Sequence, residues 1–258
     1  MKRIISCWIL AVLLLGGCDM YKPRLCRSYV SCYSNLRTIR LLPIQEDEAS
    51  RIPSGLKCIL ICPGNDIPMV EFSLFSTGKE KEEYDRLCRK HDDLNYNKYR
   101  SFLGNIASES LEYIDKDFTS IEIISDKDYD SNHPAGTGLS DIVRFMSWSP
   151  YRFIRSGYSR YYHYRSSDVS ESFKSVMPIY FGKEWFRGET DATCHPVDKM
   201  ANELRQEDLI LLGHDWTWPI GILCFETMPD EAGEHTITVK MTTDAGDILE
   251  DSIAVSFD

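Results

Sequence analysis

The last part of the chain places the tightest constraint on the fold. From residue 235 to 243, apolar and polar residues alternate, and a second alternating run extends from 248 to 257. Alternation with a period of two is typical of a strand that buries one face. Between the two runs, Asp244, Gly246 and Asp247 are residues that favour a tight turn. The pattern therefore predicts an antiparallel hairpin.

Shorter segments of the same kind precede this hairpin. Apolar runs bounded by turn residues predict strands at 37–44, 56–62, 70–75 and 118–124. Helical spacing of apolar residues predicts helices at 81–94 and 196–206, whereas 139–148 fits either type. The closing hairpin also resembles the last two strands of immunoglobulin-like sandwiches. We therefore expect a mainly β fold, an immunoglobulin-like β-sandwich with a few short helices.

Composition agrees with a folded protein that does not bind nucleic acid. The chain has 258 residues, of which 43% are hydrophobic, and this apolar content is enough to offset the entropy lost on folding. Its 40 acidic and 29 basic residues give a net charge of −11. Nucleic-acid binding depends on a surplus of Lys and Arg that neutralises phosphates, so the acid excess argues against it.

The N-terminus has the organisation of an export signal. Basic residues at positions 2 and 3 precede a largely apolar run that ends at Leu15, and Gly16, Gly17 and Cys18 follow. The apolar run is shorter than the roughly 20 residues of a membrane span, and the whole pattern describes a secretory signal peptide. The last four of these residues also resemble the bacterial lipobox, in which the peptide is cut before a cysteine that receives lipid. We expect a signal peptide at 1–17 and lipidation of Cys18.

Cleavage there would leave a mature chain with a net charge of −13, because two basic residues leave with the peptide. Residues 18–35 lack clear periodicity and are expected to form the lipidated cysteine and a tether. The β-sandwich domain is expected at 36–258, in one or two subdomains. Two or three acyl chains would hold the protein stably on a membrane. The expected location is the bacterial cell envelope, at the outer membrane, with the periplasmic or surface face left open.

The cysteines cannot be paired from their spacing alone. Cys58 and Cys62 share one face of a predicted strand at about 13 Å, which is too far for a direct disulfide. Each therefore needs a distant partner or remains a buried thiol. Cys26 and Cys32 are close enough in sequence to pair across a loop. Export to an oxidising compartment would permit such disulfides.

One acidic loop has the composition of a weak calcium site. Asp126, Asp128 and Asp130 place oxygen ligands at alternate positions, as a calcium loop does. The EF-hand pattern is broken, however, by Ser131 where Gly is expected and by Thr137 where Glu is expected. Asp also dominates ordinary turns, because its side chain bonds to nearby backbone, and a solvated loop is the simpler interpretation.

Close pairs of cysteine and histidine suggest zinc or nucleophilic catalysis only weakly. Cys88 lies three residues before His91, and Cys194 is adjacent to His195. Zinc sites usually contain two such pairs at short spacing, and a catalytic cysteine needs an orienting group that the sequence does not mark. The Cys88 pair fits one face of a packed helix equally well. The sequence therefore assigns no catalytic residue, no metal beyond the weak calcium loop and no cofactor.

Residues 142–167 differ from the rest of the chain, because they contain five arginines and several tyrosines but no acidic residue. Arginine and aromatic rings together hold anionic glycans or phosphates. The simpler alternative is that the arginines pair with acidic neighbours and the rings pack in the sandwich. If a ligand binds here, the candidate residues are Trp148, Tyr151, Arg152, Arg155, Tyr158, Tyr161, Tyr162 and Arg165.

Several segments resemble uncharacterised cell-envelope lipoproteins of the Bacteroidales. They are the lipobox, the run TSIEIISDKDYDSNHPAGTGLSDIVRFMSWSP at 119–150, EDLILLGHDW at 207–216 and the closing hairpin. The resemblance implies a lipoprotein of the envelope and supplies no catalytic residues. In that group, surface export is associated with acidic residues soon after the acylated cysteine, and here Asp19 is the only acid in 19–22.

Two functions remain open on this basis. The first is a non-enzymatic binding or structural module, which is held on the membrane by the lipid of Cys18 and binds a glycan or a partner protein. The alternative is an enzyme or accessory protein that acts on envelope or dietary glycans. Glycoside hydrolysis would need a cleft with two carboxylates roughly 5 to 10 Å apart.

Overall fold

The computed structural model describes residues 24–44, 52, 56–64, 71–96, 98–100, 112–159, 166–181, 193–213 and 219–257. The predicted signal peptide and Cys18 lie outside these ranges, as do Tyr161, Tyr162 and Arg165. In the part of the chain described, no helix is long and apolar enough to cross a membrane.

The described chain is mainly β, as the sequence predicts. Its strands are β1 (Arg24–Cys26), β2 (Cys32–Ser34), β3 (Ile39–Pro43), β4 (Lys57–Pro63), β5 (Glu71–Ser73), β6 (Lys98–Arg100), β7 (Glu112–Ile114), β8 (Phe118–Ser125), β9 (Val143–Ser149), β10 (His195–Met200), β11 (Gly221–Phe225), β12 (Gly233–Thr243) and β13 (Ile248–Phe257). Its helices are α1 (Gly78–Lys90), α2 (Tyr151–Arg155) and α3 (Glu171–Phe181).

Two antiparallel sheets form the body of the molecule. The larger has the strand order β10-β9-β11-β4-β3, and the smaller has the order β13-β12-β8. Their facing sides form one core, to which alternating residues of the strands contribute apolar side chains. The larger sheet contributes residues such as Ile61, Phe145 and Leu223, and the smaller contributes residues such as Ile123 and Val239. Strand β3 also lies beside β13, where the Leu41 amide donates to the Asp251 carboxylate at 2.7 Å.

The outer face of the larger sheet is covered by α3. Phe173, Val176 and Met177 of the helix are fully buried, and they belong to the same cluster as Met146 and Trp148 of β9. Strand β9 is therefore largely buried on both faces, and β11 is completely buried, which explains the continuous apolar character of β11.

A second assembly, which we call the cap, lies at one end of the two sheets. The cap comprises β1, β2, β5, β6, β7, α1 and α2. Its main sheet has the order β5-β2-β7, and β1 pairs with β6 in a separate ribbon. Strand β2 leads into β3, and β7 leads into β8, so the cap lies at the end where β3 and β8 begin. We call this the cap end. The register places the last residues of β4 and β12 at the same end, because Pro63 pairs with Ile39 and Thr243 with Phe118.

The structure confirms the closing hairpin and the four other predicted strands, with bounds shifted by a few residues. It also confirms the first helix, which begins at Gly78 and ends at Lys90. Asp92, with φ of 60°, then turns the chain away from the helical direction. Segment 139–148 consists of a turn followed by β9.

The predicted helix at 196–206 is wrong. Residues 195–200 instead form the edge strand β10, in which Val197 pairs with Ser147 of β9. An edge strand tolerates Pro196, and pairing satisfies backbone groups of β9 that would otherwise be open. Helix α3 was not predicted, because Pro178 lies within it and such a residue usually ends a helix.

The cysteines of β4 have different fates. Cys58 forms a disulfide with Cys224 of the neighbouring strand β11, and Cys62 remains a free, partly buried thiol. This agrees with the prediction that each needs a distant partner or stays reduced. Cys32 is a free buried thiol, so the pairing with Cys26 that the spacing would allow does not form. Cys32 lies in β2 with its neighbours in the β5-β2-β7 sheet, whereas Cys26 pairs with β6 in the separate ribbon.

Candidate functional site

Trp148 does not belong to an exposed ligand surface. Its side chain is 3% exposed and packs edge-on against Phe173 of α3, with ring centroids 5.3 Å apart. The residue falls in β9 on the face that α3 covers. An aromatic ring that is already sandwiched between sheet and helix cannot serve as a stacking platform for a sugar.

Arg152 extends from α2 to an acidic partner. One guanidinium nitrogen lies 3.3 Å from the Asp208 carboxylate, whose other oxygen accepts from Lys199 at 2.6 Å and from the Arg205 amide at 2.9 Å. Asp208 is buried, and these hydrogen bonds and ion pairs offset the loss of its contact with water. Burial, and secondarily the charge of Arg152, lowers the pKa of nearby His195 to about 4. The guanidinium of Arg152 thus has a structural role, which is to pair with the buried Asp208 carboxylate.

The other described members of the candidate set lie against the loop after α1. Arg155 is exposed and pairs loosely with Asp92 at 3.5 Å. The Tyr158 hydroxyl donates to Asp93 at 2.9 Å and accepts from the Asn95 amide at 3.1 Å. Burial raises the pKa of Tyr158 above its ordinary value. Tyr151 is half-buried at the start of α2.

The aromatic rings of this region pack on one another. Tyr158 and Phe153 lie 5.7 Å apart, and both contact Tyr96, while Phe153 also contacts Tyr29 at 5.1 Å. Edge-on contacts of this kind contribute about 1 kcal/mol each beyond burial. The described part of the segment therefore pairs with acidic neighbours and packs its rings, as the simpler of the two alternatives expects. Tyr161, Tyr162 and Arg165 lie outside the described residues.

Asp93 is the residue that joins these parts. Its carboxylate accepts hydrogen bonds from the Tyr29 amide at 2.7 Å, the Val30 amide at 2.8 Å and the Tyr158 hydroxyl. The side chain is completely buried, and burial raises its pKa, although the two backbone hydrogen bonds act to lower it. One carboxylate thus ties the N-terminal segment, the end of α1 and the turn after α2 together.

We expect Asp93→Asn to lower the free energy of unfolding by about 3 kcal/mol, because an amide nitrogen would face a backbone N–H that now donates to carboxylate oxygen. Urea denaturation would measure the change. Asp92→Asn is the matched control, since Asp92 is the adjacent residue, is exposed and has a backbone conformation that Asn accepts. The control should differ from the parent by less than about 0.5 kcal/mol. Equal effects of the two substitutions would contradict the role of Asp93.

A second buried cluster places His91 between an acid and a hydroxyl. Its Nε2 lies 3.0 Å from an Asp117 oxygen, and its Nδ1 lies 3.2 Å from the Tyr33 hydroxyl. Burial acts to raise the pKa of Asp117, but the hydrogen bond of His91 and the charge of Lys90 outweigh it and hold the pKa below its ordinary value. Lys90 also bridges to Asp244 at the turn between β12 and β13.

The order of acid, histidine and hydroxyl resembles a catalytic relay, but its chemistry does not fit one. Tyr33 is fully buried, and desolvation raises the pKa of its hydroxyl well above the ordinary value, so no phenolate forms. Burial likewise raises the pKa of the Cys88 thiol to about 12, which removes Cys88 as a nucleophile paired with His91. The cluster stabilises the junction between cap and sheets.

The predicted calcium loop is an ordered turn whose carboxylates bind backbone. Asp126 accepts from the Thr236 amide at 2.7 Å, and Asp128 from the Ala135 amide at 2.7 Å. Asp130 faces His133, whose pKa it raises. Because the three acids serve different donors, they do not converge on one ion. Among the residues that the structure describes, no group of three or more His, Cys, Asp or Glu residues is arranged to hold a metal.

Sequence reasoning did not identify Asp93, Asp117 or Tyr33 as important residues. The hydrogen-bond partners of their side chains lie between 26 and 94 positions away in the chain, so no local spacing marks them. The available signal was the pair of acids at 92 and 93, near the end of the helix predicted at 81–94. Searches against family models, curated proteins and solved structures found no match to this chain.

Proposed function

We propose that this chain is a lipid-anchored protein of the bacterial cell envelope, held at the outer membrane by Cys18, and that it acts as a non-enzymatic binding or structural module. We further propose that its two facing sheets form an immunoglobulin-like sandwich. The Bacteroidales resemblance of the sequence fits this proposal. Three features of the molecule support it.

The strand order supports the immunoglobulin-like assignment. Constant-type immunoglobulin domains pair strands A, B, E and D in one sheet and C, F and G in the other. In spatial order, β3, β4, β11 and β9 correspond to A, B, E and D, and β8, β12 and β13 correspond to C, F and G. Strand β10 adds an edge beside β9. The disulfide differs, since it joins neighbouring strands of one sheet instead of the two sheets.

The disulfide is the observation that carries the export part of the proposal. Cys58 and Cys224 are bonded across β4 and β11, in the middle of the larger sheet. Stable disulfides are rare in the bacterial cytoplasm and common in the periplasm and at the cell surface. A signal peptide before Cys18 would deliver the chain to such a compartment.

The non-enzymatic part is supported by the use of the buried polar groups. Asp93, Asp117 and Asp208 all accept hydrogen bonds from the backbone or from cations of the same chain. The carboxylates described here thus have structural partners that a catalytic acid or base would have to give up.

Lipidation is tested by expressing the full chain, with its own N-terminus, in a diderm bacterium. We expect the mature protein to partition into the detergent phase of Triton X-114 and to carry diacylglyceryl on Cys18 by mass spectrometry. Cys18→Ala should abolish both results. Cys7→Ala is the matched control, because Cys7 lies within the predicted signal peptide and is removed with it. An unmodified wild-type chain in the aqueous phase would refute the proposal.

A further inference from the structure

The cap end carries every strongly exposed apolar side chain in the described part of the molecule. Phe75 is 58% exposed, Leu94 is 42% exposed and Ile248 is 62% exposed. Phe75 follows β5, Leu94 follows α1, and Ile248 begins β13 directly after the turn that Lys90 contacts. At the opposite end, where β9 begins and β13 finishes, the described turns at 126–138 and 226–232 are largely polar.

The same end receives the N-terminal segment. Leu74 precedes the exposed Phe75, and its amide donates to the Ser31 carbonyl. Tyr96 lies two residues after the exposed Leu94, and its amide donates to the Arg27 carbonyl. The described chain begins at Arg24, six residues after Cys18. Six residues span at most about 20 Å, so a lipid on Cys18 would hold the cap end close to the bilayer. Strand β12 places the opposite end about 36 Å farther along the sheets.

The first ribbon of the cap is basic. The β1–β6 register places Arg24 opposite Arg100 and Cys26 opposite Lys98, and exposed Arg27 follows. The two strands contain no acidic residue. The mature chain is otherwise acidic, which makes this local excess of positive charge distinctive.

We propose that the cap end is a membrane-contact surface, on which the basic ribbon binds anionic lipid headgroups and the exposed apolar side chains enter the interface. Basic residues near a lipid anchor each strengthen binding to anionic membranes by about fivefold, and aromatic and aliphatic side chains add apolar burial. This proposal rests on the lipid anchor proposed above. It fixes the orientation of the molecule, with the turn around His133 pointing away from the membrane.

The test uses the mature chain with Cys18→Ser, so that no lipid is attached, and vesicles of phosphatidylglycerol and phosphatidylcholine in equal amounts. We expect vesicle binding at low salt that is absent with phosphatidylcholine alone. Arg27→Glu combined with Lys98→Glu should weaken binding more than tenfold. Phe75→Ser combined with Leu94→Ser should also weaken it. Lys127→Glu is the control, because Lys127 lies at the opposite end, and it should bind as the parent does.

Thermal melting would establish that each variant folds. A second measurement uses the lipidated wild-type chain and compares amide hydrogen exchange in vesicles with that in detergent. Vesicles should slow exchange at 71–77 and 92–96 and leave 128–138 unchanged. Absence of vesicle binding, equal binding to neutral vesicles, or equal loss in the Lys127→Glu variant would overturn the membrane-contact surface. Mass analysis of Cys18 decides the lipid anchor separately, so the two failures are distinguishable.

Discussion

Reduction of the Cys58–Cys224 disulfide is expected to lower the free energy of unfolding by about 4 kcal/mol. The bond joins residues 166 positions apart, and closing so long a loop removes much of the entropy of the unfolded chain. For a chain of this size, the loss corresponds to a decrease of roughly 8–15 °C in Tm. Calorimetry with and without reductant would measure it.

The double variant Cys58→Ala/Cys224→Ala should melt near the temperature of the reduced wild type, and reductant should not change it further. Cys62→Ala is the matched control. Cys62 lies on the same strand, is partly buried and has a free thiol, so its removal should cost no more than about 1 kcal/mol. A wild-type Tm that does not respond to reductant would show that the bond contributes nothing to stability.

Gly221→Ala is expected to cost about 3 kcal/mol. A Cβ at this position would lie 2.6 Å from Cζ of Phe145 and still closer to Cε2, and 3.4 Å from the Met146 carbonyl oxygen. Phe145 is fully buried between the two sheets, so its ring has no space into which to move. The midpoint of urea unfolding should decrease accordingly.

Gly138→Ala is the control for this substitution. Gly138 has an ordinary backbone conformation, and a Cβ there would meet nothing within 4 Å. Its replacement should change stability by less than about 0.5 kcal/mol, or raise it slightly by restricting the unfolded chain. If Gly221→Ala were as mild as Gly138→Ala, the close packing of Phe145 on the β11 backbone would be wrong.

Local patterns were sufficient wherever an element has one buried face and one exposed face. Strands β8, β12 and β13 alternate, and the sequence predicts them nearly to the residue. Helix α1 has an apolar face that includes Tyr84, Leu87 and Cys88, and it too is predicted. In these elements, the period of the buried residues equals the period of the secondary structure.

Local sequence patterns did not predict strand β11, which is buried on both faces, or strand β10, whose conformation depends on pairing with β9. Strand β11 has no exposed residue, so it carries no period to detect. Residues 196–206 have helical spacing, yet 195–200 form strand β10 by pairing with the edge of β9. The candidate ligand residues fared similarly. Their composition is that of a binding surface. In the structure, however, Trp148 packs against Phe173 of α3, and the Tyr158 hydroxyl donates to Asp93.

By itself, the sequence determined that the chain is mainly β, that it closes on a hairpin and that Cys58 and Cys62 cannot bond each other. These statements depend on residues within one element, whose geometry is fixed by the backbone. Only the tertiary structure decided that Cys58 bonds Cys224, that Asp93 binds Tyr29 and Val30, and that the exposed apolar residues gather at the cap end. Each of these depends on segments far apart in the chain, and their proximity is created by the packing of sheets and helices.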